Sequence, residues 1–298
     1  MKIYDEHIHL RPHADEPPAH QLAPYVAMAK ERGIEISIKE HALLPEKYRT
    51  GPRKDFDFAM APEEYEPFLQ LFTGSETPIG LEVDYIAGCE DEIRAMVADF
   101  LQRVELMGLH LGALNGSVHL LPLDISTDPK NPQMVMWDDF PESFEKYVTM
   151  CGIEKIIEEY HRALCGLVNM QFFEVLSHID LLRKFDSPDK NGTSRYFAGF
   201  ENFYEEAIFD VLQLAKENGI AVELNTQGID RSYGKPFLTQ RALQFCHDSK
   251  INLTFASDAH KPQAIGAHFK TAGHMFARAG VEKLTYFRNR RPAFYDYR

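Results

Sequence analysis

The sequence predicts an α/β fold in which parallel strands and helices alternate around a barrel. Apolar segments rich in β-branched residues alternate with longer segments of helical periodicity, and this order repeats seven times along the 298 residues. Predicted helices end on a glycine just before the next strand at Gly33, Gly219 and Gly280, as expected for a left-handed C-cap. Composition does not change sharply along the chain, so a single barrel-like domain over residues 1–298 is predicted.

The two periodicities also give the bounds of each predicted element. Strands are predicted at 3–8, 34–38, 78–83, 109–118, 172–176, 220–224 and 251–256. Helices are predicted near 21–32, 62–72, 90–105, 142–164, 201–218, 236–249 and 262–279. Segments rich in Pro, Asp, Gly and Ser are predicted to be loops that follow strands, at 43–62, 121–141 and 185–200.

Charge and composition exclude several classes of partner. Lys and Arg number 32 against 45 Asp and Glu, and the resulting net charge of −13 disfavours binding to a nucleic-acid backbone. No segment reaches the ~20 apolar residues needed to cross a bilayer, and the first residues lack the apolar run of a signal peptide. A cytoplasmic protein without a membrane partner is therefore expected. The four cysteines lack the spacing of a zinc site or a disulfide framework.

Imidazole and carboxylate groups follow almost every predicted strand. In a barrel of parallel strands the C-terminal ends meet at one rim, so these residues are expected to become neighbours there. His7 and His9 alternate along an extended segment and therefore share a face, which allows both to bind one ion. The candidate donors are His7, His9, His13, His41, Glu82, His119, His178, Asp258 and His260.

The chemistry of these donors indicates a hydrolytic metal centre. Imidazole nitrogens with few carboxylates and no thiolate favour Zn²⁺, Fe²⁺ or Mn²⁺ over Ca²⁺ or Mg²⁺. Nine donors exceed what one tetrahedral site uses, so two or three ions with a bridging carboxylate are expected. Such ions lower the pKa of a bound water and bind a phosphoryl or acyl oxygen, which predicts metal-assisted hydrolysis.

Five strings at the strand ends resemble the PHP superfamily of metallohydrolases, which is named after polymerases and histidinol phosphatases. They are Asp5-Glu6-His7-Ile8-His9, Glu40-His41-Ala42, Gly80-Leu81-Glu82-Val83-Asp84-Tyr85-Ile86, Gly116-Ser117-Val118-His119 and Ser257-Asp258-Ala259-His260. Within that superfamily, the segments at 82–85, 116–119, 180–185 and 223–228 are most similar to histidinol-phosphate phosphatases. The resemblance implies a distorted, TIM-like barrel of seven βα units with a trinuclear site at the C-terminal rim. It further implies hydrolysis of L-histidinol phosphate to L-histidinol and phosphate in histidine biosynthesis.

The resemblance also implies how the donors divide among three ions. It places His7, His9, Glu82 and Asp258 on the first ion, with Glu82 bridging to a second ion that also binds His119 and His178. His13, His41 and His260 would bind the third. Because His13 follows His9 more closely than is usual in the family, His20 is the alternative to His13.

A phosphomonoester substrate needs further polar contacts besides the metals. Arg183, in the loop after the fifth predicted strand, is the first candidate for the phosphate because guanidinium binds phosphate bidentately; an ion pair with Asp186 is the alternative. Arg231 is a second cation, and Asn225 either binds substrate or stabilises a turn. The leaving alkoxide would take its proton from water or from a residue at the rim, for which Asp258 and His260 are the candidates.

Two other functions remain open at this point. The first is a PHP phosphoesterase that acts on another small phosphate ester or on a nucleotide, because specificity resides in loops. The second is a metal-binding or regulatory module without catalysis. An exonuclease resembling the PHP modules of polymerases is disfavoured by the net charge of −13. The oligomeric state is not predicted.

Overall fold

Seven parallel strands form a nearly closed barrel in the computed structural model, which describes residues 2–10, 21–49, 58–122 and 134–297. In order around the barrel they are β1 (Ile3–Ile8), β2 (Ile34–His41), β3 (Ile79–Asp84), β4 (Asn115–Ser117), β7 (Val175–Leu176), β8 (Ala221–Asn225) and β9 (Leu253–Ala256). The ring is closed where Asp258 N donates to the carbonyl of His7 at 3.0 Å and His9 N donates to Ala259 at 2.9 Å. The remaining described strands are β5 (Leu120–Pro122), β6 (Met134–Met136), β10 (Lys283–Arg288) and β11 (Arg291–Asp296).

The longer helices alternate with the barrel strands and bury an apolar face, whereas the short helix Glu46–Arg49 has no buried residue. In the fourth helix the buried residues are Ile93, Val97, Phe100 and Val104, which recur at the spacing of one helix face. Short 3-10 helices lie at Leu181–Arg183, Gln227–Asp230 and Pro262–Ala264. The helices are α1 (Leu22–Arg32), α2 (Glu46–Arg49), α3 (Pro62–Gln70), α4 (Glu90–Leu106), α5 (Pro141–Cys151), α6 (Ile153–Asn169), α7 (Glu201–Glu217), α8 (Gln240–Asp248) and α9 (Phe269–Ala279).

The predicted order of strands and helices is confirmed, and three details are corrected. The helix predicted at 142–164 is two helices, because the chain turns at Gly152 with a φ of 77°. The strands predicted at 109–118 and 172–176 are shorter, since only Asn115–Ser117 and Val175–Leu176 form continuous ladders with their neighbours, although Leu111 makes an isolated bridge to Ile79. The predicted loop 43–62 contains α2 and the start of α3. Left-handed C-caps are confirmed at Gly33 and Gly280.

Two antiparallel hairpins were not predicted. Strands β5 and β6 pair directly after the fourth barrel strand; β5 begins one residue before the segment predicted as the loop 121–141, and β6 lies inside that segment. Strands β10 and β11 pair at the end of the chain, and Phe287 of β10 packs with Ala113, Val175 and Ala221 in a small apolar cluster. None of the helices in the described ranges is long and apolar enough to cross a membrane.

A bulge in β1 sets the direction of its acidic and imidazole side chains. Asp5 pairs with Ile36 and Ile8 pairs with Ile38, so β1 has one extra residue at this point. The Asp5 carboxylate accepts hydrogen bonds from Ser257 N, Ser257 Oγ and Gly266 N. Burial raises the pKa of Asp5 to about 7. Asp5 therefore ties β1 to the segment after β9, while His7 contacts β8 instead.

Candidate metal centre

Eight of the nine predicted metal-binding residues come together at the C-terminal ends of the barrel strands. Strands β1, β2 and β3 carry His7, His41 and Glu82 at or near their ends, and the other residues follow β1, β4, β7 and β9. The remaining predicted residue, His13, and its alternative His20 lie outside the described residues. The eight are His7, His9, His41, Glu82, His119, His178, Asp258 and His260.

The Glu82 carboxylate lies at the middle of this cluster. Its Oε2 atom is 3.3 Å from Nε2 of His7, 3.3 Å from Nε2 of His9 and 3.3 Å from Nδ1 of His41. Its Oε1 atom is 2.8 Å from Nε2 of His178 and 3.8 Å from Nε2 of His119. The two oxygens of one carboxylate thus face two separate groups of imidazoles.

Asp258 adds a second carboxylate on the side of His9. Its Oδ1 atom lies 3.3 Å from Nε2 of His9 and 3.8 Å from Nδ1 of His260, and its Oδ2 atom accepts a hydrogen bond from Asn225 Nδ2 at 3.1 Å. The backbone of Asp258 is left-handed, with a φ of 54°, a conformation that is uncommon outside Gly, Asn and Asp. Such strain is concentrated at functional sites.

Possible ligand atoms fall into four close groups, each within 4.8 Å. Two of these groups correspond to the first two ions that the resemblance implies. One contains His7, His9 and Glu82 but not the expected Asp258, and the other contains Glu82, His119 and His178. In the third group His41 and His260 lie next to His9. The ring of His9 stacks on His41 at 4.5 Å and on His260 at 4.4 Å between centroids. The fourth group consists of His41, Asp84 and His119.

Hydrogen bonds from behind hold several of these imidazoles in place. Nδ1 of His7 lies 2.8 Å from Oε2 of Glu223, and Nδ1 of His119 lies 2.9 Å from Oδ1 of Asp84. Nδ1 of His9 lies 3.3 Å from Oε1 of Glu40. In each case the other ring nitrogen faces Glu82, which is the arrangement typical of metal-bound histidines.

Glu223 was not among the predicted site residues, although its position in the sequence carries a signal. Glu223 and Asn225 alternate along β8 and therefore share one face of a strand that ends at the rim. Nδ2 of Asn225 donates to Oε1 of Glu223 at 2.8 Å, and Nδ2 of Asn115 donates to its Oε2 at 3.2 Å. A buried glutamate between two amide donors is fixed in position behind His7.

The comparisons with known proteins agree with this geometry. No family model matches the chain. The histidinol-phosphatase of Bacillus subtilis (strain 168) is 29% identical over 283 residues, which cover 89% of this chain and 96% of that protein. A histidinol-phosphatase candidate of Deinococcus radiodurans is 23% identical over 297 residues, covering 97% of this chain and 98% of that protein.

Solved structures match over nearly the whole length. A candidate histidinol phosphatase from Listeria monocytogenes superimposes with a TM-score of 0.72 at 21% identity, covering 91% of this chain and 99% of its own. The histidinol phosphate phosphatase of Lactococcus lactis, complexed with zinc, L-histidinol and phosphate, superimposes with a TM-score of 0.65 at 18% identity, covering 98% of each chain. The chain is thus similar in sequence to histidinol-phosphatases and has the fold of these two solved structures. Its distorted barrel of seven parallel strands is the fold expected from the sequence.

Charged groups in this cluster shift the pKa values of its imidazoles. Burial alone would lower the pKa of His7, but Glu223, Glu82 and Asp258 raise it to about 10. Burial also opposes the charged form of His119, and Asp84 and Glu82 raise its pKa to about 10. His41 differs, because burial holds its pKa well below the usual value. The metal-free cluster therefore holds protons that bound cations would displace.

The residues that are present fit divalent transition metals. Nε2 of His7 and Nε2 of His9 approach to 3.1 Å beside the Glu82 carboxylate, so imidazole and carboxylate donors converge on one point. Nδ1 of His41 and Oδ1 of Asp258 are buried and make no hydrogen bond within the described part of the chain. Nitrogen and carboxylate donors without thiolate suit zinc, iron or manganese.

The predicted substrate-binding residues are distributed more widely. The guanidinium of Arg183 lies 4.8 Å from the ring of Phe197 and 4.6 Å from that of Tyr204, and its NH1 atom is 3.7 Å from Asp186. It lines a cavity of about 190 Å³ between α7 and α8, together with Asp180. These partners do not belong to the histidine cluster.

Asn225 and Arg231 connect more directly to the cluster. Asn225 donates to Asp258 Oδ2, as described above. Nε of Arg231 donates to Gln227 at 3.3 Å, and Gln227 donates to the carbonyl of Asp258 at 3.1 Å. Arg231 thus lies one side chain away from the loop after β9 that carries Asp258 and His260.

Proposed function

We propose that the chain is a metal-dependent phosphomonoester hydrolase that cleaves L-histidinol phosphate to L-histidinol and phosphate. The observation that carries the proposal is the position of Glu82, whose two oxygens face two different imidazole groups. The similarity to the histidinol-phosphatase of Bacillus subtilis and to a structure with zinc, L-histidinol and phosphate supports this substrate. Histidine biosynthesis is the corresponding process.

The proposed centre contains two or three divalent ions of zinc, manganese or iron. His7, His9, Glu82 and Asp258 would hold the first ion, and Glu82, His119 and His178 the second. His41 and His260 would hold the third, with His13 or His20 as a further ligand. Ions bound in this way supply a water of lowered pKa and neutralise phosphate oxygens.

The chain's own residues orient the ligands and handle the proton. Glu223 and Asp84 hold Nδ1 of His7 and of His119, so the Nε2 atoms of both rings are directed toward Glu82. Asp258 and His260 are the proposed donors of a proton to the leaving alkoxide. Of the two, His260 is the more exposed, with 12% of its side chain accessible against 6% for Asp258.

Arg183, Arg231 and Asn225 are proposed to contact the substrate. The guanidinium of Arg183 lies close to the rings of Phe197 and Tyr204, and 13% of the Arg183 side chain is exposed. Asn225 and Arg231 lie on the side of Asp258. A phosphate held between the metal centre and these groups would be neutralised from more than one direction.

A hydrolase for another small phosphate ester or for a nucleotide is the alternative from the same family. A panel of phosphomonoesters at matched concentration separates the two, with the metal-loaded protein and malachite-green detection of phosphate. We expect the highest kcat/KM for L-histidinol phosphate, because its amine and imidazole suit a protein of net charge −13. A higher kcat/KM for a sugar phosphate or a nucleotide would contradict the named reaction.

A non-catalytic metal-binding module is the alternative from another class. It would retain bound metal and release no phosphate from any ester of the panel. The intact cluster of donors around Glu82 favours catalysis over this alternative.

A further inference from the structure

A buried ion pair joins two loops that carry histidines of the cluster. Nζ of Lys184 lies 3.0 Å from Oδ2 of Asp138 and donates to the carbonyl oxygen of Asp138 at 2.5 Å. The side chains are only 10% and 5% exposed. Asp138 and Lys184 are 46 residues apart in the sequence, and neither was a predicted site residue.

The hairpin of β5 and β6 places Asp138 beside His119. Leu120 pairs with Met136, so the antiparallel register brings the residues just before Leu120 next to those just after Met136. His119 directly precedes Leu120, and Asp138 follows Met136 by two residues. Burial would raise the pKa of Asp138, but Lys184 and then His119 lower it, which agrees with this proximity.

Two consecutive tight turns connect Lys184 rigidly to His178. Leu181 N donates to the carbonyl of His178 at 2.8 Å, and Lys184 N donates to the carbonyl of Leu181 at 2.8 Å. The intervening residues form the 3-10 helix Leu181–Arg183. A displacement of Lys184 would therefore be transmitted through the backbone to His178.

We propose that the ion pair of Asp138 and Lys184 is a clamp that fixes the spacing of the His119 and His178 imidazoles around one metal position. The rings of the two histidines lie 5.1 Å apart between centroids, and both face the same oxygen of Glu82. Asp138 and Lys184 are thus positioning residues, which act through the two histidines. The inference rests on the proposed metal centre and adds a determinant of its second ion.

The pair is better suited to fix geometry than to add stability. Burying two charges costs solvation free energy that their attraction offsets only with complete hydrogen bonding. Oδ1 of Asp138 is buried without a hydrogen-bond partner among the described residues, so the carboxylate is not fully satisfied. We therefore assign this pair the role of fixing the two loops that carry His119 and His178 relative to each other.

The test uses a double variant, Asp138→Asn/Lys184→Met, which removes both charges and leaves neither one buried alone. Wild-type and variant proteins are stripped, reloaded with Co²⁺ and followed by visible absorption and by elemental analysis after dialysis. We expect the variant to bind one equivalent about 10- to 100-fold more weakly, with a changed Co²⁺ spectrum, and to retain the other equivalents. The matched control is Glu145→Gln/Arg195→Met, which removes an exposed ion pair of 2.9 Å between neighbouring segments.

Distinct results separate the failure of the clamp from that of the metal centre. A double variant with wild-type affinity and spectrum would overturn the clamp, as would an equal loss in the control. If the double variant does not fold, the single variant Asp138→Asn is used, because it keeps the size of the side chain and removes one charge of the pair. A weaker affinity for one equivalent is expected for Asp138→Asn, and wild-type affinity and spectrum in this variant would overturn the clamp. Wild-type protein that binds no metal would refute the proposed function itself.

Discussion

The Nδ1 atom of His7 lies 2.8 Å from Oε2 of Glu223, which leaves Nε2 of the same ring 3.3 Å from Glu82. The glutamate on β8 therefore determines which nitrogen of the β1 histidine is directed to the centre. A metal-bound imidazole held by a carboxylate keeps one tautomer and one ring orientation.

Replacing Glu223 by Gln is expected to weaken metal binding and activity. The amide keeps the size of the side chain but loses the charge that holds His7, so the affinity for one ion should fall about 10- to 100-fold. The metal affinity is measured by competition with a chromophoric chelator. The control variant is Glu217→Gln, which changes an exposed glutamate that accepts a hydrogen bond from Gln213. Unchanged metal affinity in Glu223→Gln would refute the orienting role.

Glu82→Gln is expected to be more damaging than the loss of a histidine that serves one ion, such as His178→Asn. A neutral amide is a poor bridge between cations, and Glu82 faces two imidazole groups while His178 faces one. The bound metal, measured by elemental analysis, and kcat/KM should both be lower in Glu82→Gln than in His178→Asn. Activity near that of wild type in this variant would contradict the bridging position.

The order of strands and helices and the residues at the rim could be predicted, because both depend on local sequence. The hydrophobic periodicities of strands and helices define the βα repeat, and the C-terminal ends of all parallel strands in a barrel lie at one rim. The first strand, Ile3–Ile8, has the predicted bounds. The grouping of His41 and His260 with His9 could not be predicted, because it depends on how the ring closes between β1 and β9.

Other parts of the site depend on contacts between distant residues. Strands β5 and β6 have three residues each, too few to show a period. The Asp138 to Lys184 pair joins segments with no common sequence signal. Asp180, two residues after His178, accepts a hydrogen bond from the backbone N of Thr239, the N-cap of α8, at 2.9 Å. This contact also joins segments that are far apart in the sequence.

Arg183→Met is expected to lower kcat/KM by about 10-fold or more, because a charge-assisted contact to phosphate contributes roughly 1.4 kcal/mol or above. Metal content should be unchanged, since Arg183 is proposed to contact substrate alone. The control is Arg195→Met, an exposed arginine of the same loop. If kcat/KM is unaffected, Arg183 serves only the packing against Phe197 and Tyr204.

The metal-free protein is expected to lose stability as the pH rises from about 6.5 to about 8. His7 and His119 have pKa values of about 10 in the folded state and about 6.5 in the unfolded state, so the folded chain binds more protons over this range. Their contribution is complete below about pH 6.5 and disappears as the pH passes through about 10. Lys39, whose pKa burial lowers to about 8, is still mainly protonated in both states below pH 8.

Urea unfolding at several pH values checks this dependence. The free energy of unfolding of the stripped protein should decrease between pH 6.5 and 8, and the metal-loaded protein should not show the decrease because cations replace the protons. A stripped protein that becomes more stable over this range would contradict the assigned pKa shifts.

The central claim is that a metal cluster built around Glu82 hydrolyses L-histidinol phosphate. The most direct measurement is phosphate release from L-histidinol phosphate by one preparation, assayed as purified, after metal stripping and after reloading with Zn²⁺ or Mn²⁺, with metal content determined on each sample. The account predicts two to three equivalents of metal in the active samples, no activity after stripping and recovery after reloading. Full activity in the stripped, metal-free sample would contradict it.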